Sequence, residues 1–451
     1  MNAVNMIKLS EIELTRFFFA IILLLVSALI LGYVFKKLKL PKVIGEISGG
    51  LLLGPTVLGS IAPELYTWLF NAFEFEGKLI AMVSWFGLVL LMFVSGLEIK
   101  ASLDRDDKKT IIALLIGSTL PFFAGWIAPA FYDFSPYLGE KQNMLALTIV
   151  IGIAVAVTSI PVIAKIFLDL KIMHTRFAKI VLTTATIHDV LLWVALAIAT
   201  GLVSAEHDSV SKITSHVMLT FAFLGAAVVV MPKAMLFLNG LRYNLLLRSS
   251  KSGYVLSICF LFASVASILG VNVIFGAFLA GVVLGIMPDE KFAAEKLHIK
   301  EFAMAFFVPL YFAVVGLKLD LIHHFDIQFL LLFLMFTTVF ETAGTLTAAK
   351  LIKKDWLTSF NFAVAMNTRG GPGIVLATIA YDFGIINETF FVTLVLIALL
   401  TSLFAGAWFR YLLSSNYELL KATGTGLTTQ LNFSQTPRPE PGSPGQLIDP
   451  S

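Results

Sequence analysis

One cysteine, Cys259, stands among 451 residues. It excludes an intrachain disulfide and any cysteine-based metal cluster. Set in an apolar run, it reads as lipid- or core-facing packing. Charge is scarce as well. Asp, Glu, Lys and Arg make up 14% of the chain, against roughly a quarter in an ordinary soluble domain. The net charge is only +3, and no basic cluster interleaved with aromatics is present, so no nucleic-acid partner is expected. No metal-ligand cluster, nucleophile with a base or phosphate loop can be found, which argues against an enzyme; no cofactor is expected. What the chain has in excess is apolar surface. Its residues are 58% hydrophobic, and the mean hydropathy is +0.90. A soluble fold cannot hide that much, so the chain reads as an all-α polytopic protein whose partner is the lipid bilayer.

Apolar runs long enough to cross a bilayer lie near 14–35, 43–62, 79–98, 110–131, 145–168, 178–203, 215–239, 253–269, 272–287, 301–317, 327–350, 358–380 and 388–412. That makes about 13 transmembrane helices, with the pair around Gly270 the least marked because no charge separates it. The first run is too long for a signal-peptide core and is followed by Lys36, Lys37 and Lys39, so it reads as a retained span. Lys and Arg number twenty in the odd-numbered loops and four (Lys78, Lys141, Lys212 and Lys318) in the even-numbered ones. The positive-inside rule then sets the N-terminus (1–13) outside and the C-terminus in the cytoplasm. The transmembrane region is expected over 14–412 and a cytoplasmic tail over 413–451. From about 423 the tail is rich in Pro, Ser and Gly and reads as disordered. No glycine fingerprint or βαβ pattern follows the last span, so no nucleotide-binding domain is expected in this chain.

Few charges fall inside the spans. Asp189 sits near the middle of the sixth, Glu341 near the middle of the eleventh, and Arg369 in the twelfth; Glu46 and Glu98 lie closer to span ends, and only His188 is deep among seven histidines. A charge at that depth costs at least ~2.5–3.5 kcal/mol, so such residues line polar paths or pair with each other. Two spans also carry helix breakers at mid-depth. The fifth contains Thr158, Ser159 and Pro161; the twelfth reads Asn367, Thr368, Arg369 and then Gly370, Gly371, Pro372 and Gly373, a glycine run that cannot sustain an undisturbed helix. Proline removes a backbone donor and glycine weakens a helix. Paired interruptions in matching places of two inverted repeats are the best sequence pointer to a transporter's midplane site. On that reading spans 5 and 12 correspond, and so do spans 6 and 11.

Taken in order, PKVIGEISGGLLLGPTVLG (41–59), FGLVLLMFVSGLEI (86–99), TSIPVIAKIFLDL (158–170), TTATIHDVLLW (183–193), FGAFLAGVVLG (275–285), FFVPLYFAVVGLKLDL (306–321) and MNTRGGPGIVLATIAYDFGI (366–385) are specific. The chain resembles the monovalent cation:proton antiporter-2 family of sodium (or potassium)/proton exchangers over about residues 14–412. The resemblance implies inverted repeats with two interrupted helices crossing at the midplane, the sodium/proton antiporter fold. It also implies a homodimer in which a mobile core carries the ion by an elevator-type movement. Asp189 would be the carboxylate that binds a monovalent cation and a proton in turn, with His188, Thr158 and Ser159 beside it. Two residues depart from the family pattern: His188 replaces an Asp, Asn or Gln, and Glu341 stands where many members have Lys. A reversed-polarity His188–Glu341 bridge would keep the charge of the site unchanged, and Arg369 could pair with Glu341 or with backbone carbonyls.

The expected function is secondary active exchange of Na⁺ or K⁺ for protons, in a bacterial inner (plasma) membrane. The two departures leave open a proton-coupled exporter of an organic cation or small metabolite on the same fold, and a non-transporting sensor. A channel would not need one titratable midplane acid between two broken helices, and no filter-like carbonyl ring is visible. His323 and His324 fall in an outside loop and read as solvated.

Overall fold

The computed structural model describes residues 9–38, 40–97, 107–173, 175–204, 210–240, 244–286, 292–415 and 417–420. Residues 1–8, the tail from 421, Glu98 and the loop residues Lys39, Lys100, Arg105, Arg242 and Lys291 lie outside that set. Every regular element among the described residues is helical. In chain order these are α1 (Glu11–Lys37), α2 (Lys42–Leu53), α3 (Pro63–Phe70), α4 (Glu76–Leu97), α5 (Lys108–Gly117), α6 (Thr119–Ile127) and α7 (Met144–Ala156). Then come α8 (Ile160–Asp169), α9 (Arg176–Ser204), α10 (Val210–Gly225), α11 (Met231–Gly240), α12 (Leu245–Ser249), α13 (Lys251–Ile268) and α14 (Val273–Ile286). The rest are α15 (Ala293–Phe302), α16 (Val308–Leu317), α17 (Ile327–Leu351), α18 (Trp356–Met366), α19 (Gly370–Asp382) and α20 (Glu388–Ser414).

The apolar runs fall on helical segments, single or consecutive, among the described residues. Among the described residues, eight helical stretches of 18 residues or more are apolar enough to cross a bilayer, and the chain is an integral membrane protein. The uncharged turn at Gly270 is present and has a physical cause. Gly270 takes φ +74° just past α13, its N–H donates to Ser267 O at 3.0 Å, and Val271 N–H donates to Ala266 O at 2.8 Å. That double closure satisfies carbonyls a helix end leaves bare. Cys259 is fully buried, so it packs in the core.

The helices that build the centre start on side-chain caps. Asn143, Asp326, Asp355 and Asn387 accept hydrogen bonds from backbone N–H groups in the first turns of α7, α17, α18 and α20. Each cap satisfies donors that the helix start leaves unpaired. Two groups of helices result. α1, α2, α4 and α16 pack on one another, with α14 against α4; α5 to α9 and α17 to α20 form the second group. Within the second group α7 and α19 are buried along almost their whole length, as expected of helices that are apolar all round.

The correspondence between repeats differs from the sequence expectation. A repeat keeps its order along the chain, so the units are α5–α9 and α17–α20. α9 packs on α5 and on both halves of its own broken span, α7 and α8; α20 packs on α17 and on both halves of its own, α18 and α19. The broken spans 5 and 12 do correspond. Span 6 corresponds to span 13, and span 4 to span 11.

Candidate ion-exchange site at the helix crossing

The two interruptions meet. α7 ends at Ala156 and α8 begins at Ile160; α18 ends at Met366 and α19 begins at Gly370. Between them, Thr158 Oγ1 donates to Met366 O at 2.7 Å, and Ser159 N–H donates to Thr368 O. Ser159 Oγ accepts from Val162 N–H at 3.3 Å, closing the first turn of α8. The break in span 12 falls at Asn367–Arg369, just before the glycine run. Gly371, Pro372 and Gly373 are helical, and the prolines explain why. Pro161 is the second residue of α8 and Pro372 the third of α19. A first turn has no intrahelical use for an N–H, so proline starts each half-helix instead of kinking one. Gly370 is the exception that needs its missing side chain. It has φ +37°, and a Cβ there would come within 2.7 Å of Ser159 Oγ and closer still to Val162.

Four half-helix ends at one place concentrate partial charge: negative at the ends of α7 and α18, positive at the starts of α8 and α19. Arg369, 2% exposed, answers the end of α7. Its Nε donates to Ala154 O at 3.1 Å and its Nη2 to Val155 O at 2.9 Å. Its Nη1 donates to Asn367 O at 3.3 Å and to Asn367 Oδ1. A guanidinium with donors in a fixed fork is suited to hold several carbonyls at once. The choice left open by the sequence therefore falls to the carbonyls. No ion pair joins Glu341 and Arg369 among the described residues.

Asp189 lies midway along α9 and is 6% exposed. It borders a cavity of about 10 Å³ shared with Ile153, Val157, Leu192, Trp193, Pro372 and Leu376, at the lower limit for one water. Val157 belongs to the break of span 5 and Pro372 to the first turn of α19, so Asp189 lies beside the crossing. Pro372 also lines a second cavity of about 210 Å³, which runs past Gly371, Val162, Ser95, Lys42 and Glu46. Glu46 is buried there and pairs with Lys42 at 2.7 Å. Inside a protein nearly every polar atom finds a partner. Here Asp189 Oδ1, His188 Nδ1 and Glu341 Oε2 are buried with none. The expected His188–Glu341 bridge is not formed; the hydrogen bond of Glu341 is from Thr345 Oγ1 to Oε1, at 3.3 Å. Thr158 and Ser159, expected beside Asp189, tie the two breaks together, and their hydroxyl oxygens keep acceptor lone pairs.

The backbone acceptors Met366, Ala154 and Val155 were not visible in the sequence. They lie more than 200 residues from their donors, and a carbonyl has no residue type to betray it. Thr345 could have been found, since it falls four residues after Glu341, on the same face.

The sodium/hydrogen exchanger transmembrane family model matches residues 23–415. The chain is 31% identical to the K⁺/H⁺ antiporter 1 of Saccharomyces cerevisiae, over 87% of this chain and 46% of that protein. It is 25% identical to the Na⁺/H⁺-K⁺ antiporter GerN of Bacillus cereus, over 90% of this chain and 99% of that one. The chain thus spans about half the length of the yeast relative and of several plant ones. Its fold is that of the sodium proton antiporter MjNhaP1 from Methanocaldococcus jannaschii, with TM-score 0.58 at 14% identity, covering 89% of this chain and 98% of that one. A match over most of the chain, on helices that cross as this fold requires, makes the protein a member of the sodium/hydrogen exchanger family.

Proposed function

We propose that the protein exchanges Na⁺ or K⁺ for protons across a membrane, with Asp189 binding a cation or a proton in turn. The observation that carries the reading is the buried Asp189 carboxyl, on a residue beside the crossing, with Oδ1 unpartnered. A buried carboxylate without a partner is costly. A proton removes its charge and a monovalent cation balances it, so the site is satisfied when occupied by either. Na⁺ and K⁺ are hard ions that take oxygen ligands. The Asp189 carboxylate, the lone pairs of Thr158 and Ser159 and the carbonyls of the break are the oxygens on offer. His188, with Nδ1 free, is a second titratable group beside the acid.

The resemblance supports an elevator movement and a homodimer. In that picture α5–α9 and α17–α20 would carry the site past α1, α2, α4, α14 and α16. We also propose residues 1–13 outside, 14–412 as the transmembrane unit and 413–451 in the cytoplasm, in a bacterial inner membrane; the lysine asymmetry of the loops supports this orientation. One observation favours a larger cargo. The 210 Å³ cavity next to Pro372 is apolar-walled and holds Glu46, more room than a bare ion needs. Organic cations therefore belong in the test panel.

The test is proton flux in proteoliposomes of set internal pH, with Na⁺, K⁺, Li⁺ and small organic amines added in turn. One cation should collapse the pH gradient in the wild type and fail to do so in Asp189→Asn. A gradient untouched by every inorganic cation but collapsed by an amine would favour the organic-cation reading. A gradient untouched by all of them would overturn antiport.

A further inference from the structure

Three helices of the second group begin at one end of it: α5 at Lys108, α9 at Arg176 and α18 at Trp356. Packing brings these starts together, since α9 touches both α5 and α18. Arg176 Nε donates to Asp107 Oδ1 at 2.7 Å. Lys350, at the end of α17, donates through Nζ to Lys354 O at 3.0 Å and lies over the Trp356 ring, 4.4 Å from its centre. Lys108, Lys109, Arg176 and Lys353 are exposed around them. The acids among the described residues of this cluster are already in use: Asp107 holds Arg176, and Asp355 caps α18. Positive charge is left in excess, and the starts of three helices add to it. Lys354 registers the crowding. Burial and the Arg176 charge hold its ammonium below the ordinary lysine range, against the pull of Asp107 and Asp355.

An apolar track leads away from this charge. Ile112, Ile116, Leu120 and Phe123 recur every three or four residues along α5 and α6, so they share one face. Each is at least 45% exposed. Leu120 and Phe123 then line a cavity of about 570 Å³, whose other wall includes Phe333, Phe336 and Phe340 of α17. At about 1.5 Å per residue, Leu120 lies roughly 18 Å along the helices from Lys108, and Phe340 roughly 15 Å from Lys350. Half of a hydrocarbon core of ~30 Å is about 15 Å. The charge and the near edge of the cavity are thus about one leaflet apart. Trp356, 70% exposed beside the charge, stands where tryptophans mark the headgroup level.

We propose that this face holds one anionic phospholipid, with its phosphate among Lys108, Lys109, Arg176 and Lys354 and one acyl chain along Ile112 and Ile116 into the cavity. Charge complementarity selects an anionic headgroup over a zwitterionic one. The track and the cavity select a lipid over a soluble phosphate.

The test uses the purified full chain in neutral detergent, read by thermal denaturation and by native mass spectrometry. Dioleoylphosphatidylglycerol should raise the melting temperature and stay bound as one copy. Phosphatidylcholine with the same chains should do neither, and the water-soluble headgroup glycerophosphoglycerol should not displace the lipid. Lys108→Gln, Lys109→Gln and Lys354→Gln together should weaken phosphatidylglycerol binding at least about tenfold. Lys36→Gln with Lys37→Gln, which removes charge at the end of α1 instead, should leave it unchanged. Ala124→Phe narrows the cavity without touching a charge and should weaken binding as well. Equal effects of the two lipids on the wild type overturn the proposal, and that comparison needs no variant to fold. Equal weakening by the α1 changes, or unchanged binding in Ala124→Phe, also overturns it. Displacement by glycerophosphoglycerol or inorganic phosphate at comparable concentration would mean a headgroup-only anion site, and would overturn the lipid.

Discussion

Asp189, His188 and Glu341 each keep a buried polar atom unpartnered, whereas Arg369, equally buried, is surrounded by acceptors. Arg369 is thus satisfied within the structure, whereas the exchange proposed above would give the Asp189 carboxyl its missing partner. Removing Arg369 should cost stability: Arg369→Leu strips two carbonyls of α7 of their donors, at about 1–3 kcal/mol for each group left bare. A markedly lower melting temperature in detergent is expected, whatever cation is present. Asp189→Asn should leave the melting temperature nearly unchanged or raised, because the amide removes a buried acid, while exchange falls at least about 100-fold. All four of these residues were legible in the sequence, since a charge or a deep histidine in an apolar run is conspicuous by cost alone. Their division of labour was not. It depends on which carbonyls a guanidinium reaches across more than 200 residues of chain, and on a His188–Glu341 bridge that charge arithmetic allows and the packing does not make.

At the scale of elements, the two broken spans are paired half-helices whose second halves begin with proline in the first turn. The sequence located both interruptions but set the second one in the glycine run. Physical reason moves it upstream: glycine and proline are tolerated in a first turn, and Asn367 and Thr368 can turn their polar groups to the crossing. The two neighbouring glycines then divide sharply. Gly370 has a left-handed φ and no room for a Cβ, whereas Gly371 has nothing within 4 Å of the position its Cβ would take. Gly370→Ala should cost about 1–3 kcal/mol and cut exchange severely. Gly371→Ala should stay within about 0.5 kcal/mol of wild type. Thermal denaturation of the two variants side by side checks this, and equal losses would mean that the crossing is not as tight as described. The assignment of repeat partners, 6 with 13 rather than 6 with 11, follows from chain order once the packing of α9 and α20 is seen.

Over the whole molecule, the two helix groups are tied at one end and parted at the other. Lys318, just past α16, pairs with Asp382 at the end of α19 at 2.6 Å, and Tyr311 donates to Thr378 at 3.2 Å within the same pair of helices. At the other end the 210 Å³ cavity separates α2, α4 and α16 from α8 and α19. In the orientation proposed above, that cavity would lie on the cytoplasmic side. In a Cys259→Ser background, Ser95→Cys should react with a membrane-impermeant maleimide from the cytoplasmic face, and Thr378→Cys should be protected from the outer face. The reverse pattern would invert the topology. Lys318→Ala should loosen the tied end and raise labelling of Thr378→Cys severalfold.

In the exchange proposed above, one carboxyl, Asp189, takes either a proton or a cation. It is tested most directly by titrating purified protein with Na⁺ and then K⁺ in weakly buffered solution while following released protons with a pH dye. Ligands that must be deprotonated to bind a metal ion release protons as they do so. Binding should release protons in the wild type and weaken as the pH falls, and Asp189→Asn should neither bind nor release. Full-strength cation binding with no proton released, or release that survives Asp189→Asn, would rule out Asp189 as the shared site.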